Sequence, residues 1–511
     1  MKFSLSSHLQ AGMTVCGMAL FLTLSLHMAK GSEIQMPNIV ILYADDMGHG
    51  DLGVQNANSK IPTPTFDKLV EEGMRFTDGH SSSGICTPSR YALLTGRHHW
   101  RKFHGITHGF SPSIIDQEQL TLPEMLQAKG YHTAQVGKWH LGMGWNQIQN
   151  PDYVPAKGKK KAYTPDAFLW DKQVPGGPLA HGFDYSFTDC VINFPPYTWL
   201  ENDKVLKAPD IMMDSKLWKP IKEGKWECRP GPMATGWDPY ENIPTLTEKA
   251  VTYIKRQENS DKPFFLYFAL PSPHAPIIPN DEFDGKSQAG PYGDFIYETD
   301  QACGQLIEAI EAIGETENTV IIFTADNGSE HYMTARFEKF DHNSSGELRG
   351  MKRDTWEGGH RVPFVIKWPG VTEAGTVSDA LISQVDIMAT IATAIGYELP
   401  EGQGEDGYDM MPVLSGKADS IRDSLVINTW KDHYGMRQGD WVLLMNVKKN
   451  RSFKDYEAKA GFPPIQGDAL FNLTDDLGQR KNLIDQYPEK AAQLESLLKQ
   501  VREGSYPPLD S

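Results

Sequence analysis

An α/β fold on a large, mixed, mainly parallel sheet flanked by helices is what this 511-residue sequence predicts, with a smaller antiparallel sheet and a helix at its C-terminal end. Two observations carry that expectation. From Asn38 to about Gly396, short apolar runs rich in β-branched residues alternate with segments of helical period, the pattern of strands joined by crossover helices. After about Asp419 the runs become short and closely spaced, as in antiparallel hairpins, before one last amphipathic stretch. Hydrophobic residues at 40% and charged residues at 23% are those of a globular protein. The length suffices for one large domain with a smaller companion.

The chain opens on Lys2 and a stretch that is apolar from about Ala11 to Met28 and ends at Ala29-Lys30-Gly31, where small residues flank one position as signal peptidase prefers. Residues 1–31 therefore read as a signal peptide, and the protein as exported, periplasmic or secreted if bacterial, with no stable membrane span after cleavage. An uncleaved anchor is the competing reading, although Thr14, Ser25 and His27 dilute the stretch. Met13-Thr14-Val15 ahead of Cys16 is a poor match to a lipoprotein cleavage site.

The catalytic α/β domain is placed at 32–418. Its predicted strands are Asn38 to Ala44, Thr133 to Val136, Phe264 to Ala269, Val320 to Thr324 and Phe364 to Lys367. Between them fall predicted helices at Thr65 to Glu72, Pro88 to Leu94, Leu122 to Ala128, Leu246 to Arg256, Asp294 to Ile313 and Val385 to Ile395. The stretch from about Trp145 to Tyr240 has little periodicity, many prolines, the lysines Lys157, Lys159, Lys160 and Lys161, and several tryptophans. Two readings fit it equally: loops packed by their own aromatics, or an aromatic rim facing a sugar substrate. A C-terminal α+β subdomain, 419–511, is expected to pack on the catalytic domain. It carries strands at Ser424 to Asn428, Tyr434 to Gln438, Trp441 to Asn446 and Leu470 to Asn472, then a helix from Pro488 to Glu503.

A formal net charge of -17 argues against a nucleic-acid partner, since such proteins carry a basic surface to replace counterions on phosphate. An anionic substrate would need cations concentrated in a local pocket. Of five cysteines, Cys16 leaves with the signal peptide and Cys303 falls in a helical pattern as a buried free thiol, so only Cys190 and Cys228 are candidates for a disulfide.

In an open α/β sheet the ligand lies beyond the carboxyl ends of the strands. There the sequence places Asp45-Asp46, Lys138-Trp139-His140, Pro271-Ser272-Pro273-His274 and Asp326-Asn327-Gly328. Taken singly, each of these is ordinary turn chemistry or a structural histidine. Together, three carboxylates and an amide carbonyl from two strand ends supply the hard oxygen ligands of calcium or magnesium. The strongest local signal is Cys86-Thr87-Pro88-Ser89-Arg90 with Leu94-Thr95-Gly96-Arg97. Proline at the first helical position would set Cys86 at a helix N-terminus, where the backbone dipole favours an anion.

Cys-x-Pro-x-Arg followed by Leu-Thr-Gly-Arg resembles the signature of the formylglycine-dependent (type I) sulfatases, arylsulfatase-like members of the alkaline phosphatase superfamily. Gly137-Lys138-Trp139-His140, His274-Ala275-Pro276, Thr324-Ala325-Asp326-Asn327-Gly328, and Arg349-Gly350-Met351-Lys352 with Glu357-Gly358-Gly359 match in the same order. Met351 stands where relatives often have a small residue. The resemblance implies an alkaline phosphatase-like sheet, a formylglycine made from Cys86 by a maturation enzyme, and one calcium ion on Asp45, Asp46, Asp326, Asn327 and an oxygen of the modified Cys86. It further implies that Arg90 holds the hydrated aldehyde, Lys138 and Lys352 clamp the sulfate, His140 assists the diol and His274 protonates the leaving oxygen. One hydroxyl of the hydrate attacks sulfur, and deprotonation of the other then expels sulfate and restores the aldehyde.

The implied activity is hydrolysis of a sulfate monoester, with a sulfated carbohydrate as the expected substrate. That choice of substrate rests on export, the aromatic segment and the histidine-rich loop His98 to His108. A phosphate or phosphonate ester hydrolase of the same superfamily is one alternative. A noncatalytic sulfated-glycan binding protein, with Cys86 unmodified, is the other.

Overall fold

The computed structural model describes residues 36–155, 162–189, 191–451, 453–504 and 506. The signal-peptide segment, Lys157 to Lys161 and Cys190 lie outside them. Residues Pro37–Ser511 make one compact unit.

Ten strands form the main sheet: β1 (Asn38–Ala44), β2 (Met74–Phe76), β3 (His132–Gly137), β4 (Tyr185–Thr188), β5 (Leu200–Glu201), β6 (Lys204–Val205), β7 (Phe264–Ala269), β8 (Thr319–Ala325), β9 (Phe364–Lys367) and β10 (Thr376–Ser378). Their order across the sheet is β10-β2-β9-β8-β1-β7-β3-β4-β5-β6. The central block β8-β1-β7-β3-β4 is parallel throughout. β9 joins β8 antiparallel, and β2 joins β9 antiparallel. Every residue of β1, β7 and β8 is buried, which explains their near-continuous apolar sequences: helices cover both faces.

Those helices are α1 (Pro64–Glu72), α2 (Cys86–Thr95), α3 (Leu122–Ala128), α4 (Asn242–Lys255), α5 (Gly290–Ala312), α6 (Met333–Phe340) and α7 (Asp386–Ala394). Apolar side chains hold them to the sheet; Phe66 of α1 stacks on Phe323 of β8 at 3.8 Å between ring centroids. Helix α2 begins at Cys86 itself, so Pro88 is its third residue rather than its first. All ten residues of α2 are buried, and Gly96 closes it in the left-handed conformation.

A second, antiparallel sheet follows: β11 (Ser424–Asn428), β12 (Tyr434–Gln438), β13 (Trp441–Leu444) and β14 (Ala469–Asn472), covered by α8 (Pro488–Glu503). Trp356 packs on Phe471, and Arg101 grips Asp406 through three N–H to carboxylate contacts of which the longest is 3.0 Å. The loop after α2 belongs to this seam. His98 bonds Tyr506 and His99 bonds Asn428, both rings buried, so these two histidines serve packing rather than a substrate surface.

The irregular segment is held by its own aromatics. Trp218 meets Trp226 at 4.8 Å and Trp237 at 5.7 Å, and Trp237 meets Tyr197 at 5.3 Å. Cys228 and Cys303 are free thiols. Among the described residues no helix is long and apolar enough to cross a membrane.

Candidate active site

Because β1, β7, β8 and β3 run parallel, the residues that follow each of them arrive at one end of the sheet. Asp45 and Asp46 leave β1, Asp326 and Asn327 leave β8, Lys138 leaves β3, and His274 follows β7. Two glycines make the approach possible. Gly137 has φ 110, and a Cβ on it would lie 2.0 Å from the Ala269 carbonyl oxygen; this turn lets Lys138 N–H donate to Ala269 at 2.7 Å. A Cβ on Gly328 would lie 2.0 Å from the Gly358 oxygen, so only glycine admits the loop that carries Lys352, whose N–H bonds Ser329 at 3.0 Å.

Asp45, Arg90, Lys138, Asp326 and Asn327 have no exposed surface, and Asp46, Cys86, His140 and Lys352 have at most 3%. Arg90 lies one turn beyond Cys86 on α2 and donates Nε and Nη2 to Asp326 Oδ2 at 3.1 and 2.9 Å, while its guanidinium sits over the Tyr43 ring. Asn327 Nδ2 donates to Asp46 Oδ1 at 2.7 Å, and Asp46 N–H donates to Asp326 Oδ1 at 3.1 Å. Lys138 Nζ donates to Asp45 Oδ2 and Lys352 Nζ to Asp46 Oδ1. Burial opposes ionisation of Asp45, but Lys138, His274 and Arg90 together outweigh it and hold the carboxyl below the usual carboxylate range. Asp326 goes the other way, pushed up by burial and then by the Asp45 charge.

Three buried oxygens here have no hydrogen-bond partner: Asp45 Oδ1, Asp46 Oδ2 and Asn327 Oδ1. Leaving such atoms unmatched costs about 1–3 kcal/mol each. With Asp326 beside them they make a hard-oxygen donor set suited to calcium or magnesium, so the residues fit a bound divalent cation. His274 Nε2 lies 3.6 Å from Asp46 Oδ2, which places Asp45, Asp46 and His274 in one acidic group able to hold a metal ion.

The histidines are fixed by backbone carbonyls. His274 Nδ1 donates to Ala275 O at 2.5 Å, so its Nε2 is the nitrogen that gains or loses a proton. His140 Nε2 donates to Thr107 O at 3.0 Å, which leaves Nδ1 a buried lone pair without a partner. Burial, then Lys138 and Arg90, hold the His140 ring well below its ordinary pKa, and burial lowers His274 as well. The Cys86 thiol is pushed up by burial, so as a thiol it is a poor nucleophile.

The sulfatase family profile matches residues 37–397, the segment that contains this whole constellation. The chain belongs to the sulfatase family. It is a sulfuric ester hydrolase. A second profile, the C-terminal part of N-sulphoglucosamine sulphohydrolase, matches residues 350–503. This sulfatase is 31% identical to the N-acetylgalactosamine-6-O-sulfatase of Bacteroides thetaiotaomicron, over 93% of its own chain and 94% of that protein. It is 32% identical to human arylsulfatase A, over 94% of its own chain and 90% of that protein. Among solved structures, a Bacteroides thetaiotaomicron protein from work on the metabolism of multiple glycosaminoglycans superposes with a TM-score of 0.78 at 28% identity, covering 92% of this chain and all of that one.

The structure brings Asp45, Asp46, Cys86, Arg90, Lys138, His140, His274, Asp326, Asn327 and Lys352 together at this end of the sheet, whereas His98 and His99 of the histidine-rich loop point into the packing seam. Sequence reasoning missed the charged group at the edge of the site, Glu330, Arg353 and Arg451. Arg353 directly follows Lys352, and that adjacency was the one available signal. Arg451 is brought in by tertiary structure from a segment without a motif.

Proposed function

We propose that this sulfatase removes sulfate from a sulfated carbohydrate of the glycosaminoglycan type, its ester carried on an N-acetylhexosamine, using a formylglycine derived from Cys86 and one calcium ion. The observation that carries the reading is the set of three unpartnered buried oxygens, Asp45 Oδ1, Asp46 Oδ2 and Asn327 Oδ1, at the strand ends beside Cys86, Lys138 and Lys352. The carbohydrate class is supported by the full-length likeness to an N-acetylgalactosamine-6-O-sulfatase. Export, and a formylglycine-generating or equivalent enzyme in the host, belong to the same proposal.

Asp45, Asp46, Asp326 and Asn327 would hold the calcium with an oxygen of the modified Cys86. When bound, the ion supplies positive charge to polarise the ester and the nucleophile. The formylglycine supplies two hydroxyls on one carbon, which no unmodified side chain offers. The chain's own residues do the rest. Lys138 and Lys352, both buried, face the negative charge that spreads over the sulfate oxygens as the ester breaks. His274 brings a proton at Nε2 to the leaving oxygen, its ring held by Ala275 O. His140, held neutral by burial, accepts a proton at Nδ1. Arg90 fixes Asp326 and, one helical turn along α2, steadies the modified residue.

The test is mass spectrometry of the peptide bearing Cys86 from a modification-competent host, with sulfate release measured on sulfated sugars and on paired aryl sulfate and aryl phosphate. A loss of about 18 Da at Cys86 and calcium-dependent release from sulfated N-acetylhexosamine are expected. An unmodified thiol without turnover, or faster hydrolysis of the phosphate, would overturn the proposal.

A further inference from the structure

Beside the sulfate pocket, two arginines share one carboxylate. Glu330, 8% exposed, receives Arg353 Nη1 at Oε2 and Arg451 Nη1 at Oε1, the latter at 2.7 Å, and His331 Nδ1 also lies 2.7 Å from Oε1. The carboxylate lies beneath and the cations face outward: the Arg353 and Arg451 side chains are 26% and 31% exposed, that of Glu330 11%. Asp354 adds no acid to that face, being fully buried with its oxygens on the backbone N–H groups of Met351 and Arg451. Each guanidinium engages the carboxylate through Nη1 and retains further N–H donors in its planar fork.

The group adjoins the reacting centre. Arg353 follows Lys352, its N–H donates to the carbonyl of Gly84 at 2.7 Å two residues before Cys86, and its charge is felt by both Asp46 and Cys86. Its backbone carries a second sign. Arg353 has φ 79, a left-handed conformation that costs a non-glycine residue on the order of 1 kcal/mol or more. A glycine would remove that strain, and an arginine there is consistent with a use for the side chain.

We infer that Arg353 and Arg451, levelled by Glu330, form a second anion subsite that receives a carboxylate or a further sulfate on the same glycan that carries the scissile ester. The inference rests on the carbohydrate reading of the substrate, and it makes the preferred substrate polyanionic rather than singly charged. A planar guanidinium pair suits both anions, because each offers parallel oxygens to the fork.

Binding to the calcium-loaded Cys86→Ala protein, followed by calorimetry at low salt, separates this inference from the catalytic one. The probes are N-acetylgalactosamine 6-sulfate, its 4,6-disulfate, and an unsaturated uronyl-N-acetylgalactosamine 6-sulfate with and without methyl esterification of the uronate. The doubly anionic sugars are expected to bind about tenfold or more tightly than their singly charged partners, as charge-assisted bonds to arginine allow. Arg451→Met, and independently Arg353→Met, should shrink that preference to about twofold, with Arg451→Lys restoring part of it. A preference confined to the disulfate identifies sulfate as the anion, and one abolished by methyl esterification identifies the carboxylate. Binding without any charge preference, or a preference that survives in whichever variants fold, overturns the subsite alone. Failure of all four sugars to bind overturns the carbohydrate reading and the subsite with it, while turnover of an aryl sulfate by the matured enzyme would still stand as a separate fact.

Discussion

His140 and His274 are depressed for the same first reason, burial, but they present different nitrogens to the site. Backbone carbonyls make that choice: Thr107 O takes Nε2 of one ring, and Ala275 O takes Nδ1 of the other. The two rings thereby offer different free nitrogens, as the proposed base and acid require, without any difference in residue type. Burial acts on structural histidines too, and there it has a consequence for stability. His98 is pushed down to about 4 by burial, against about 6.5 in an unfolded chain. Between those values the unfolded chain binds the additional proton, so stability is full above the unfolded pKa and declines as pH falls toward the folded one. The slope approaches about 1.4 kcal/mol per pH unit for each such group. His98→Gln should therefore show a shallower fall of the thermal midpoint between pH 6.5 and pH 5 than the parent chain; parallel profiles would refute this.

At the scale of elements, one buried network ties the second sheet to the first. Arg437 of β12 reaches both oxygens of Asp78, Nη1 at 2.8 Å and Nη2 at 2.6 Å, while Arg361 lies 3.3 Å from Asp78 and 3.3 Å from Glu357. His80 bonds Asp78 and His360 in the same cluster. Asp78, His80 and Glu357 are close enough to hold a metal, but two guanidiniums already balance the two carboxylates. Arg437→Met would leave Asp78 short of a partner in the interior and should cost about 3 kcal/mol in urea unfolding; a loss within about 0.5 kcal/mol would mean the seam is held by apolar packing alone. Much of this architecture is legible in the sequence. Asn38–Ala44 and Phe264–Ala269 match the predicted strands because strands covered on both faces read as unbroken apolar runs. Met74–Phe76 does not, being only three residues long near the sheet edge, and the reversed direction of Phe364–Lys367 leaves no local trace. In the site, residues that directly follow strands could be read from their position. Glu330 and Arg451 could not, since tertiary packing alone brings them together.

For the molecule as a whole, a cation at the strand ends would join segments far apart in sequence, from Asp45 to Asn327. Ligand that binds only the folded state adds about 2.7 kcal/mol when present at a hundredfold its Kd. Calcium should raise the thermal midpoint, a chelator should lower it, and Asn327→Ala should blunt the response; a midpoint indifferent to calcium in the parent chain would exclude an ion at this position.

The place of β1 in the sheet bears on the order of events in synthesis. Its residues pair on one side with Phe265 to Ala269 and on the other with Thr319 to Ala325, so this early strand must wait for partners that lie far downstream in the chain. A growing polypeptide that ends before those segments has no means of assembling the sheet around β1, since long-range parallel pairing must wait for both partners. Cys86 is 3% exposed once everything is in place, so the proposed maturation enzyme would have to reach it before then. On that reading the layout of strands would act as a timer, leaving open the interval for the proposed conversion of this thiol and closing it when the fold completes.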